Sequence, residues 1–209
     1  MANNAHTTDE TPAISKPTSP VTRQISLRLS ACAAGLAAVG IATGVVRYLH
    51  RSPIREVHVP GTSAWVPQLI VAAVAVALYG VARWRHDRRF GRRSGRLLLL
   101  APLGRSAASR LAATLRRAPW RSAAALPPLI VIAYAFWRIG DQVTGGLDPN
   151  FTVNAWGGPT YLGAMACHYL DAVVGIGVSA WLLDLILLPA AFAGRAHPGS
   201  ARQAGATVR

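Results

Sequence analysis

Cysteine is nearly missing from this chain: Cys32 and Cys167 are the only two. Both fall inside apolar stretches, where a thiol behaves as a small buried hydrophobe, and neither has a second cysteine at metal-ligand spacing. That excludes a disulfide scaffold and argues against redox or catalytic use of a thiol. Lysine is rarer still, with Lys16 the single example and every other cation an arginine. Catalytic signatures are absent too: no Walker motif, H-E-x-x-H, G-x-S-x-G, C-x-x-C or dinucleotide fingerprint occurs. Nor does the sequence carry an internal repeat of the kind that builds many transporters.

What the chain has instead is apolar length. Four runs, over about 27–46, 64–83, 121–139 and 161–188, are each long enough to cross a bilayer. A helix rising about 1.5 Å per residue spans the hydrocarbon layer with roughly 20 residues. Four such helices in 209 residues leave no room for a separate soluble enzyme domain. The expected fold is an all-α integral membrane protein with four transmembrane helices. A formal charge of +14 in a soluble protein would suggest nucleic-acid binding. Here the charges sit between and outside the apolar runs without interleaved aromatics, so they read as topology signals and contacts with anionic headgroups, not as a nucleic-acid surface.

The arginine distribution orients the chain. The segment between Arg83 and Arg121 holds twelve arginines, those two included, and one acid, Asp87, whereas 140–159 holds no Lys or Arg at all. Under the positive-inside rule the third helix runs from inside to outside, the loop 84–120 is cytoplasmic, loops 47–63 and 140–160 are external, and both termini are cytoplasmic. Arginine in place of lysine, with abundant Ala and Gly, looks like a high-GC bacterial genome and so points to the plasma (inner) membrane. Residues 1–26 and 191–209 are polar and are expected to be disordered.

Local patterns refine this picture. Ala33, Ala37, Gly40 and Gly44 form a small-residue stripe on the first helix, suited to close packing against another helix of the chain or against a second copy. Thr62 or Ser63 is placed to cap the second helix, and Trp65 and Trp84 flank it as interfacial anchors. In the basic loop, Ala108, Leu111, Ala112 and Leu115 recur at helical spacing, predicting a basic amphipathic helix in the headgroup plane. Arg85, Arg88, Arg89, Arg92, Arg93, Arg96, Arg116 and Arg117 are the expected lipid-headgroup contacts. Pro127-Pro128 predicts a kinked third helix, or a hinge beside a cavity.

The candidate polar site is Arg138, Asp141, His168 and Asp171. His168 and Asp171 share a helix face about two turns inside the expected outer boundary, where ionisable groups mark function or internal pairing. The leading expectation is an Arg138–Asp171 clamp between the third and fourth helices, with Asp141 as an alternative partner. A pocket for a substrate, proton or lipid headgroup is the competing reading. A metal or haem role for His168 would need His50, His58 or Glu56 to complete a site. Asp184 is expected to reach the cytoplasmic headgroups as a solvated partner of the loop arginines. Gly157-Gly158-Pro159 predicts a tight turn delivering Thr160 as N-cap. No cofactor or catalytic residue is implied. The sequence thus suggests a non-enzymatic accessory or scaffolding subunit, alone in a homo-oligomer or within a larger membrane complex. A small transport or channel subunit and a membrane redox subunit are the alternatives.

Overall fold

The computed structural model describes residues 25–90 and 102–189. The expectations for the leading segment up to residue 24, for the tail from 191 and for Arg92, Arg93 and Arg96 fall outside those residues.

Six helices follow in order: α1 (Leu27–Leu49), α2 (Trp65–Phe90), α3 (Arg105–Arg117), α4 (Pro119–Gly145), α5 (Pro149–Thr152) and α6 (Tyr161–Ile186). Among the described residues there is no strand beyond one isolated bridge, Ile25 to Gly104. The four helices long and apolar enough to cross a membrane are α1, the Trp65–Arg85 part of α2, α4 and α6. Two bounds move furthest from the sequence expectation. Helix α2 runs on to Phe90, and α4 continues to Gly145, so the loop taken to begin at 140 is helical for another turn and a half. That loop also contains the short α5, started by Pro149 at its first position and by the Asp148 carboxylate accepting from the Asn150 N–H. Helix α4 passes through Pro127 and Pro128 without interruption.

The long helices stand in a row, in the order α1, α4, α6, α2. The α1–α4 seam is the most extensive contact, and the small-residue stripe makes it so. A Cβ on Gly40 would collide with the Trp137 carbonyl, one on Gly44 with the Asp141 carbonyl, and one on Gly140 with the Ala37 carbonyl. The backbones therefore meet directly, which is how helices associate without a hydrophobic driving force. Ala33, Gly40 and Gly44 are buried there. Thr43 and Thr144 add polar stitches: Thr43 Oγ1 lies 3.3 Å from Asp141 Oδ1, and Thr144 Oγ1 donates to the Ile41 carbonyl at 3.1 Å. Helix α2 is the opposite case. Its main helix neighbour is α6, and among the described residues of α2 only Gln68 is buried.

Two ends can be told apart. At the basic end, where α1 starts and α6 finishes, Ala107, Ala125, Leu183 and Leu187 form a small core joined by Leu29 and Leu111. At the far end, Ala155, Ala164 and Met165 pack with Phe151, Tyr161 and Tyr169.

Helix α3 forms where its periodicity placed it, yet the side it buries differs from the apolar stripe. Ala107, Arg110, Ala113 and Thr114 are buried, while Ala112 and Leu115 stay exposed. The reason is Arg110. Its guanidinium satisfies the open carbonyls that end α6, and this rotates the helix so that only Leu111 of the expected stripe meets the small core. The capping of α2 is a second correction. Thr62 Oγ1 donates back to the Val59 carbonyl, and the Ala64 N–H donates to the Trp156 carbonyl at 2.8 Å, so α2 begins pinned to the far-end loop.

Candidate functional site

At the far end, two loops are knitted together by asparagine. Asn150 accepts from the Glu56 N–H (2.9 Å) and donates to the Ile54 carbonyl (2.7 Å). Asn154, four residues on, accepts from the Val59 N–H (2.8 Å) and donates to the Val57 carbonyl (3.4 Å). Each carboxamide thus offers the 54–59 segment one acceptor and one donor, as the edge of a sheet would. His58 Nδ1 adds a bond to the Val153 carbonyl at 2.7 Å. Neither asparagine was singled out from sequence. Their four-residue spacing beside a proline-started turn was the available signal.

Beyond the asparagines the chain turns into α6. Gly158 takes φ +88°, a conformation L side chains rarely adopt, and Thr160 caps the helix by accepting from the Gly163 N–H. The Tyr161 hydroxyl then reaches back to the Val143 carbonyl on α4 at 3.1 Å. The predicted turn and cap are both present.

Beneath this cover lies an open cleft of 390 Å³, lined by Arg138 on α4, His168 and Asp171 on α6, and Phe151, Asn154 and Trp156 from the loop. Three of the four predicted polar residues therefore meet at one place. The expected Arg138–Asp171 clamp does not form. Arg138 is held instead by neutral groups: Nη1 donates to the Tyr134 hydroxyl at 3.0 Å, and Nη2 lies 3.4 Å from His168 Nδ1. The buried Gln142 satisfies its amide with the oxygen turned to Arg138, accepting from Nε at 3.0 Å and from Nη2 at 3.3 Å. Tyr134 and Gln142 sit one turn either side of Arg138 on α4, so they hold the guanidinium level with His168. That is a turn away from Asp171 along α6, which is the physical reason the clamp is missing. Since a guanidinium only donates, His168 Nδ1 is the accepting nitrogen and the ring proton is on Nε2. The Phe151 ring packs against the imidazole at 5.7 Å between centroids. Asp171 is exposed, and no hydrogen bond or ion pair from any described residue reaches it.

Asp141, the fourth candidate, lies elsewhere. It faces α1, where Arg47 Nη1 stands 3.0 Å from Oδ2. The interhelical clamp therefore joins α1 to α4, and its carboxylate side chain is only 4% exposed. Arg47 also lies over the Phe151 ring, 5.4 Å from its centroid, which links the clamp to the lining of the cleft.

The basic end holds a second polar constellation. Arg110 pairs with the Asp184 carboxylate and donates to the carbonyls of Asp184 (2.9 Å), Leu187 (3.2 Å) and Leu188 (2.9 Å). The buried Thr114 donates to the Arg110 carbonyl and accepts from the Leu188 N–H at 3.0 Å. Arg121 adds a bond to the Ile186 carbonyl. Asp184 thus meets a loop arginine, as expected, but the pair is no solvated one, because the Arg110 side chain is 10% exposed. Of the expected headgroup contacts, Arg85, Arg88, Arg116 and Arg117 are exposed. Arg88 stacks on Trp84 at 4.1 Å. Arg89 carries no described side-chain position. Cys167 is buried within the protein and Cys32 is exposed on the apolar α1.

Among the described residues, no three His, Cys, Asp or Glu side chains are grouped so that they could hold a metal ion. No protein-family model, curated protein or solved structure matches the chain. The cleft is therefore judged on its own chemistry: one positioned cation, one open carboxylate, a neutral imidazole and two aromatic side chains.

Proposed function

We propose that this is a non-enzymatic accessory or scaffolding subunit of the plasma membrane, crossing it four times with both termini in the cytoplasm. The observation that supports the reading best is the open row of helices. A row encloses no lumen, and it leaves α2 with nearly its whole surface free: Val66, Leu69, Ile70, Val74, Val76 and Leu78 are all more than half exposed. On that helix Ala73, Ala77 and Gly80 lie open as well, and a Cβ at Gly80 would touch nothing within 4 Å. The small-residue stripe of α1 is consumed inside the chain, so side-by-side association falls to α2, where close backbone approach is still available. The basic end faces the cytoplasm, where Arg85, Arg88, Arg116 and Arg117 meet anionic headgroups.

The test is purification of the full chain in mild detergent at native abundance, with mass spectrometry of stoichiometric co-purifying polypeptides and light scattering for mass. A reproducible partner or a defined homo-oligomer is the expected result. A monodisperse monomer without companions would sink the accessory reading. A small transport subunit is the second reading, favoured by the far-end cleft and its unpaired Asp171. It predicts that Asp171→Asn abolishes a flux while leaving the protein folded.

A further inference from the structure

The far-end cleft gathers two opposite charges that no described residue neutralises. A guanidinium carries five N–H groups, and on Arg138 the described partners are all neutral acceptors. Gln142 takes a bond from Nε and one from Nη2, His168 lies against Nη2, and Tyr134 accepts from Nη1. One N–H of Nη1 is left over, and the positive charge meets no anion. Asp171 is exposed, with no hydrogen bond or ion pair to any described residue. It stands three residues past His168 on α6, about 4.5 Å of helix rise. The other polar groups of the lining are committed, because Asn150 and Asn154 spend their carboxamides on the 54–59 segment.

These charges select the ligand. An anion alone would sit on Arg138 and bring its charge up to Asp171, and a cation alone would meet the reverse conflict. A solute carrying a carboxylate and an ammonium on one carbon satisfies both, each through a charge-assisted hydrogen bond. Free α-amino acids have that arrangement, whereas the two ends of a peptide carry one charge each. The rest of the lining is apolar: Trp156 is 59% exposed and offers a broad ring surface for a side chain without charge. A volume of 390 Å³ lies near the lower end for ligand sites, which run from about 300 to 1,000 Å³, and suits a solute of this size. Most of the lining comes from residues 150–156, so the cleft belongs to the loop end of the helices.

We propose that this cleft binds a free α-amino acid with an apolar side chain, its carboxylate on Arg138, its ammonium on Asp171 and its side chain against Trp156. The assignment stands on the cleft alone and is independent of whether the protein is an accessory subunit.

The experiment is isothermal titration calorimetry of the full chain in detergent with L-leucine, isocaproate and isoamylamine, with detergent-only titrations subtracted. Isocaproate is leucine without its ammonium, and isoamylamine is leucine without its carboxylate. A hydrogen bond to a charged group supports a preference of about tenfold, so each analogue should bind more weakly than leucine by at least that factor. Asp171→Ala should bring leucine and isocaproate to parity, because the ammonium loses its partner while Arg138 still holds the carboxylate. Asp171 supports no other described group, so this variant should keep the wild-type thermal midpoint and is the decisive one. Asp171→Glu should retain the preference for leucine. Arg138→Gln, compared at an unchanged midpoint, should bring leucine and isoamylamine to parity, and Arg116→Gln, away from the cleft, should bind leucine as wild type does. Three results would overturn the proposal: no leucine binding by the folded wild-type chain at millimolar concentration, equal binding of all three compounds, or a preference for leucine over isocaproate that survives Asp171→Ala.

Discussion

Arg110 concentrates several roles in one side chain. Helix ends leave their last carbonyls without partners, and in an apolar setting those groups need donors from elsewhere. Arg110 supplies them to Asp184, Leu187 and Leu188 while neutralising the Asp184 carboxylate. Arg110→Gln should therefore cost about 3 kcal/mol, the lower part of the range for breaking a buried pair, because Asp184 keeps 28% of its side-chain surface exposed. Arg110→Lys should recover only part of it, since an ammonium lacks the planar fork that spans several acceptors. Thermal unfolding in detergent reads both. An Arg110→Gln midpoint equal to wild type would mean that the α3–α6 junction contributes nothing to stability.

At the scale of elements, the α1–α4 seam is the structural centre. Gly40→Val should drive its new side chain into the Trp137 carbonyl, and backbone cannot swing aside as a side chain can. A loss of roughly 3 kcal/mol, the upper end of overpacking penalties, or outright misassembly is expected. Gly35→Val is the matched control on the same helix, with nothing within 4 Å of its Cβ. Equal midpoints for the two variants would refute the seam. The spans themselves were legible because hydrophobic length is a local property, and so was the stripe of Gly40 and Gly44. The order in which helices stand beside one another was not. Hydropathy says nothing about lateral neighbours, so Asp141 could be offered Arg138 as readily as the true partner, Arg47. The clamp failed for a similar reason: Gln142 and Tyr134 compete for Arg138 from its own helix, and no spacing rule ranks a neutral acceptor above a distant carboxylate. At the cleft, the three residue types were readable, whereas the meeting of Arg138 with His168 and not with Asp171 was not.

For the whole molecule, the asymmetry of the ends is the ground for the proposed orientation. Single cysteines at Ser52, in the far-end loop, and at Arg116, on α3, can be placed in a chain lacking Cys32 and Cys167. A membrane-impermeant maleimide on intact cells should modify Ser52→Cys, and should reach Arg116→Cys only after permeabilisation. The reverse pattern would invert the proposed topology, and with it the leaflet in which the cleft lies. Because α2 contributes little burial, its substitutions on exposed faces, such as Val76→Ala, should leave the unfolding midpoint within about 0.5 kcal/mol of wild type.

The knitting of the two far-end loops also bears on how the chain is made. Thr43 meets Asp141 across 98 residues of sequence, and Glu56 meets Asn150 across 94. Helix α1 packs against α4, not against α2 that follows it. During synthesis the first two helices therefore emerge without pairing as a hairpin. The glycine face of α1 then waits, uncovered, until α4 has been translated.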